Sequence, residues 1–305
     1  MMSTIGVNDL RNLQPEKEFF VGIDSDGCVF DSMELKHKEC FCPAFINHYR
    51  LQGVCRYARE TWEFVNLYSA TRGINRFKAV LEALRRLEAR PEVRQQLGSL
   101  PPTADLEAWV ASETRLSGGV LEQYLNDHRD SISPDSILHA SLNWSNDVVE
   151  AVERIVHDLP PIAEAVAALE DLSAKADCVV VSQTPSDDLV REWREHAIDR
   201  FPRLIAGQEQ GTKAEHLALA AGSKYAPGRV LMIGDAPGDH QAAQANGFLF
   251  FPIVPGREAA SWRELRATGL NRFFSGTYAG AYQESLLDAF RRGLPEQPPW
   301  AGVRG

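Results

Sequence analysis

The chain has 305 residues, 44% hydrophobic and 24% charged, with a formal net charge of -10. That length holds one large α/β domain or a core with a smaller partner, and it supplies an apolar core without disulfide or metal staples; no low-complexity run marks a disordered chain. The negative balance repels a phosphate backbone and argues against nucleic acid as a partner, whereas a small anionic substrate stays compatible if a bound metal and a few placed cations reverse the sign locally.

Residues 1–18 are polar and lack the apolar stretch of a secretory signal, and no run is long and apolar enough to span a bilayer. A soluble, cytoplasmic protein without a membrane partner is expected. Residues 18–23 then read as a buried strand that ends on Asp24-Ser25-Asp26-Gly27. In α/β sheets, ligands gather beyond the carboxyl ends of the strands, which is where these two acids stand. Their mutual repulsion is relieved by a divalent cation shared with a further acid, and Gly27 permits a sharp turn. A strand running into Asp and Gly also describes an ordinary turn, so the motif gains weight only if other strand ends bring matching acids and donors. Five scattered cysteines (Cys28, Cys40, Cys42, Cys55 and Cys178) fit free thiols better than a disulfide framework, and Cys40-Phe41-Cys42 has no companion pair for zinc.

Residues 32–159 show almost no strand pattern. Ile74, Phe77, Val80, Leu81, Leu84 and Leu87 form a helical stripe; Leu106, Trp109 and Val110 suggest a second helix, and Val148, Val149, Val152, Ile155 and Val156 a third. Pro160-Pro161 closes this all-helical insertion, so the sheet it interrupts is discontinuous in sequence.

Residues 178–181 read as a second buried strand, ending on Ser182; a hydroxyl and free amides ahead of a helix can hold phosphate oxygens, although such a serine is more often a turn residue. Pro185-Ser186-Asp187-Asp188 reads as a helix start with a capping hydroxyl. A third strand spans 203–206, and Lys213 opens the next helix at the end where a cation is poorly placed for the helix dipole. A fourth strand, 229–233, delivers Asp235, with Asp239 four residues on; a helix over 239–246 closes on Gly247, and a fifth strand covers 248–254. Tyr278, Tyr282, Leu286 and Phe290 mark a last helix, and the Pro- and Gly-rich tail from Pro295 reads as loose. The alternation predicts an α/β, Rossmann-like parallel sheet covered on both faces.

The order Asp24-x-Asp26-Gly27, Ser182, Lys213 and Gly234-Asp235-x-x-x-Asp239 resembles the four motifs of the haloacid dehalogenase superfamily. The match covers about 18–31 and 162–254, and Asp31-Ser32 looks like members that insert a cap at that point. The resemblance implies a core of residues 1–31 and 160–305 and a helical cap of the first class over 32–159. It also implies a magnesium-dependent phosphatase acting on a small phosphorylated metabolite, with Asp24 as nucleophile and Asp26 as acid and base. Ser182 and Lys213 would hold the phosphoryl group beside Gln183, and Mg2+ would be held by Asp24, the main-chain carbonyl of Asp26, Asp235 and Asp239. Lys36, His37 and the run from Thr71 to Arg76 are cap candidates for the leaving group; Arg72 leads because a Gly-flanked arginine between helices can swing toward an anion.

Cys28, Gln183 and Ala214 depart from common family residues without removing a catalytic group. Asp26 favours phosphoryl transfer over dehalogenation, which releases halide and needs no proton. A phosphomutase on the same acids and a catalytically silent binding protein are the alternatives; a phosphonate-cleaving enzyme is disfavoured because it needs a cap lysine that forms a Schiff base. The sequence leaves the physiological substrate and the oligomeric state open.

Overall fold

A computed structural model describes residues 5–302. Two compact units emerge, Met1–Met33 with Asp158–Pro295, and Glu34–His157 with Glu296–Gly305.

The first unit is built on a five-stranded sheet. Its strands are β1 (Phe19–Ile23), β2 (Ala176–Val181), β3 (Leu204–Ala206), β4 (Val230–Gly234) and β5 (Leu249–Pro252), in the order β3-β2-β1-β4-β5. Every pairing is parallel, with Val21 opposite Cys178 on one side and Leu231 on the other. Each strand lies where an apolar run ends on a turn signal, with bounds within two residues of those expected from the sequence. All but the outermost residues are buried on both faces, which is why the runs are continuously apolar rather than alternating.

The period-two geometry sorts these side chains into two layers. Phe19, Val21 and Ile23, with Cys178, Val180, Leu231 and Ile233, pack under the helices Ala163–Lys175, Ser186–Glu195 and Glu258–Glu264. Phe20, Val179, Val181 and Met232 face the helices Lys213–Ala220, Pro237–Ala245 and Ala281–Gly293. Gly22 belongs to this second face, and a Cβ there would meet Leu217 Cδ2 at 2.7 Å. A bare backbone at the middle of β1 thus lets the Lys213–Ala220 helix lie close against the sheet.

Three local expectations differ from the structure. Pro185, not a hydroxyl residue, is the N-cap of Ser186–Glu195, because the Ser186 hydroxyl is turned to Glu209 and Gln210. Tyr278 precedes the Ala281–Gly293 helix; buried, it donates its phenol to the Phe250 carbonyl at 2.8 Å, and its spacing to Tyr282 imitates a helical repeat. The segment from Pro295 is not loose throughout: Pro299–Gly302 forms a 3-10 turn, with the Trp300 ring 4.4 Å from the Arg90 guanidinium and 5.5 Å from the Phe64 ring. The described residues from Glu296 to Gly302 therefore group with the helical unit, whereas the expected 160–305 boundary put them with the sheet. Composition registers proline and glycine there but not the docking of one tryptophan.

The second unit is helical. Cys42–His48, Cys55–Asn66, Arg76–Glu88, Ala104–Ser112, Gly118–Asp127 and Ile137–Ile155 enclose a core in which Trp62 lies tilted against Phe45 at 4.7 Å and Phe77 meets Trp109 edge-on at 5.0 Å. Arg76–Glu88 and Ile137–Ile155 carry two of the expected apolar stripes. No helix among the described residues is long and apolar enough to cross a membrane.

Candidate active site

Three central strands converge on one edge of the sheet. β1 is continued by Asp24, whose amide donates to the Ile233 carbonyl at 2.9 Å, and β2 by Ser182, whose amide donates to Ala206 at 3.0 Å. β4 ends at Gly234 and hands the chain to Asp235. Beyond Asp24 the backbone folds back on itself: the amides of Val29 and Phe30 reach the Ser25 carbonyl at 2.9 and 3.1 Å, and Gly27 takes φ 71°. A left-handed turn of this kind is open to glycine at little cost. Two indoles pin the loop, Trp193 Nε1 donating to Ser25 Oγ at 3.0 Å and Trp262 Nε1 to the Cys28 carbonyl at 2.8 Å.

Asp239 completes the edge from the first turn of the Pro237–Ala245 helix, where its Oδ2 accepts the Ala236 amide at 3.0 Å. It packs so tightly that a Cβ on Gly234 would fall 2.4 Å from that oxygen. Asp24, Asp235 and Asp239 each place a carboxylate oxygen within 4.8 Å of the others, and all three are buried. Lys213 answers two of them: its Nζ lies 2.7 Å from Asp24 Oδ2 and 2.5 Å from Asp239 Oδ1. Its helix is capped by Thr212 and Glu215, which exchange side-chain and backbone bonds, so the ammonium at the first helical position is held by the acids and not by the helix dipole.

The three carboxylates outnumber the ammonium that pairs with two of them. Burial raises the Asp24 pKa well above the usual carboxylate range; Lys213 opposes this, while Asp239 and Asp235 add to it. Burial works against the Lys213 charge, but Asp239 and Asp24 outweigh it and hold its pKa above that of a free lysine. A cage of hard oxygen donors with surplus negative charge is what a small divalent cation fits, so the residues present suit the metal that the family resemblance implies.

Asp26 stands outside that group. Its Oδ2 accepts the Thr184 hydroxyl at 2.6 Å and its Oδ1 the Ser32 hydroxyl, so both oxygens are held by neutral donors. Ser182 is buried, its Oγ accepting the Thr184 amide at 3.1 Å. Gln183 donates to the carbonyls of Ser182 (3.1 Å) and Gly211 (2.9 Å), tying the loop after β2 to the one before Lys213. Arg72 lies buried in the helical unit, with Nη1 donating to the Leu67 carbonyl at 2.9 Å.

The edge of the sheet thus gathers Asp24, Ser182, Lys213, Asp235 and Asp239, with Asp26 fixed beside them. Sequence reasoning missed Thr184. Its only signal is a hydroxyl residue between Gln183 and Pro185, indistinguishable from turn chemistry until its partner 158 positions away is known.

No protein-family model matches the chain, and no curated protein does. Among solved structures, the chain is similar to one named a predicted phosphoglycolate phosphatase from Haemophilus somnus, at 12% identity over 79% of this chain and 88% of that one, TM-score 0.47. A haloacid dehalogenase-like family hydrolase from Streptococcus pneumoniae matches at 15% identity over 80% and 90%, TM-score 0.42. A predicted phosphatase from Clostridium acetobutylicum matches at 14% identity over 83% and 92%, TM-score 0.44.

Proposed function

We propose that the chain is a phosphohydrolase of the haloacid dehalogenase type, which cleaves a small phosphorylated metabolite through an aspartyl phosphate. The observation that carries this reading is the buried group of Asp24, Asp235 and Asp239 around Lys213, set beside an acid, Asp26, that is not part of it.

Asp24 attacks phosphorus, and the bond to the leaving oxygen breaks as Asp26 gives that oxygen its proton. Water then attacks the aspartyl phosphate, Asp26 takes a proton from it, and the bond to Asp24 breaks to release phosphate. Lys213 and the Ser182 hydroxyl hold the phosphoryl oxygens, supplying charge and donors to a transition state that needs positioning more than covalent help. Gln183 keeps the Ser182 loop in register with the Lys213 loop. Mg2+ would be held by Asp24, Asp235 and Asp239 with the main-chain carbonyl of Asp26, and it would supply the charge that lets an anionic carboxylate approach an anionic phosphate. The helical unit is assigned the role of cap, with Arg72 as its candidate for the leaving group.

The test is phosphate release from an aryl phosphate with and without Mg2+. Turnover that needs the metal, is lost in Asp24→Asn and is blocked by fluoroberyllate supports the reading. Normal turnover by Asp24→Asn would sink it, and a rearranged sugar phosphate without free phosphate would turn it into a mutase.

A further inference from the structure

We propose that Thr184 is a positioning residue for the acid and base Asp26; the idea rests on the phosphohydrolase reading and adds to it a group that no motif contains. Its hydroxyl donates to Asp26 Oδ2 at 2.6 Å, while Ser32 holds Oδ1. A carboxylate gripped at both oxygens cannot rotate, so its proton is delivered along one direction, and fixed direction is worth orders of magnitude in proton transfer.

The surrounding loop is built to aim that hydroxyl. The Thr184 amide is taken by Ser182 Oγ at 3.1 Å and its carbonyl by the Gln208 amide at 3.1 Å, so both of its backbone polar groups are tied. Pro185 comes next and restricts Thr184 to extended backbone. Beyond it, Glu209 Oε2 accepts both the amide (3.0 Å) and the hydroxyl (2.6 Å) of Ser186, clamping the start of the Ser186–Glu195 helix from the loop after β3. That clamp is close-fitting: a Cβ on Gly207 would stand 2.5 Å from the Thr184 carbonyl and 2.7 Å from the Ser186 amide. A threonine serving only as a turn residue would bond its own loop, whereas this one sends its hydroxyl across the sheet edge to β1's acid.

Steady-state kinetics on an alkyl phosphate, with wild type, Thr184→Val and Thr184→Ser, test the assignment. Thr184→Val is expected to lower kcat roughly tenfold or more with KM within about twofold, since Asp26 stays in place but loses its aim. Thr184→Ser, which keeps the hydroxyl, is expected to stay within about threefold of wild type. Wild-type kcat in Thr184→Val, an effect on KM alone, or an equal loss in Thr184→Ser would overturn it. Should Thr184→Val melt early, Thr184→Ala, which removes the hydroxyl without adding a methyl in its place, must lower kcat likewise. Inactivity of the wild type itself with Mg2+ would strike the phosphohydrolase reading instead, so the two failures are distinct.

Discussion

Two pairs of buried tryptophans, one pair in each unit, are used in opposite ways. In the sheet unit, Trp193 and Trp262 are fully buried, yet each spends its indole N–H on the loop after Asp24. In the helical unit, Trp62 and Trp109 are as deeply buried, and their indole nitrogens have no acceptor among the described residues. Burying an N–H without a partner costs free energy, and the helical unit accepts that cost because large rings fill its core. The sheet unit accepts a different one, crowding three carboxylates where water cannot screen them. One unit bears its polar burden for volume, the other for chemistry.

Substitutions that cut activity and those that cut stability should therefore fall in different units. The largest effect is expected from Asp235→Asn: a loss of about 10³-fold in kcat/KM, roughly 4 kcal/mol, because one oxygen charge of the cage is gone. Without metal its melting temperature should equal or exceed that of the wild type, since like-charge repulsion is relieved, and Mg2+ should raise the wild-type value more than the variant's. A metal-free variant that melts far below wild type would show that Asp235 is structural. Trp62→Ala is expected to do the reverse, lowering stability by about 3 kcal/mol in denaturant titration through the cavity it leaves, with the metal-binding response intact. Gly22→Ala joins both sides. Forcing a Cβ against Leu217 should cost about 1–3 kcal/mol, and kcat should fall too, because Leu217 is one turn from Lys213.

The expected effect that is smallest at neutral pH is a pH dependence, which develops only on acidification. Burial, reinforced by Lys213, lowers the His216 pKa from 6.5 to about 4, so the ring is neutral in the folded chain. The unfolded chain takes up the proton first as pH falls. Stability from this group is therefore complete above pH 6.5 and declines as pH drops toward about 4. Urea titrations across that window should show the decline in wild type and a flatter profile in His216→Leu.

Much of the sheet unit is legible in the sequence, because a strand buried on both faces is a continuous apolar run and its carboxyl end is where acids stand out. Asp24, Asp235 and Asp239 can be placed together once strand order is guessed. Thr184 and Glu209 cannot, since each acts across a loop boundary that local pattern does not reveal, and neither can the pinning of Ser25 by Trp193. In the helical unit, stripes such as Ile74 to Leu87 disclose helices but not partners, and Trp300 sits in a segment whose composition imitates a loose tail.

The central strand is also the first to be made. β1 pairs with β2 and β4, yet Ile23 leaves the ribosome long before Ala176 exists, and the entire helical unit except its C-terminal segment is synthesised in between. At roughly 5–20 residues per second, the apolar stretch Phe19–Ile23 stays unpaired for on the order of ten seconds during translation. Such an exposed apolar stretch is open to misassociation, so yield in cells should respond to the supply of chaperones that bind exposed strands.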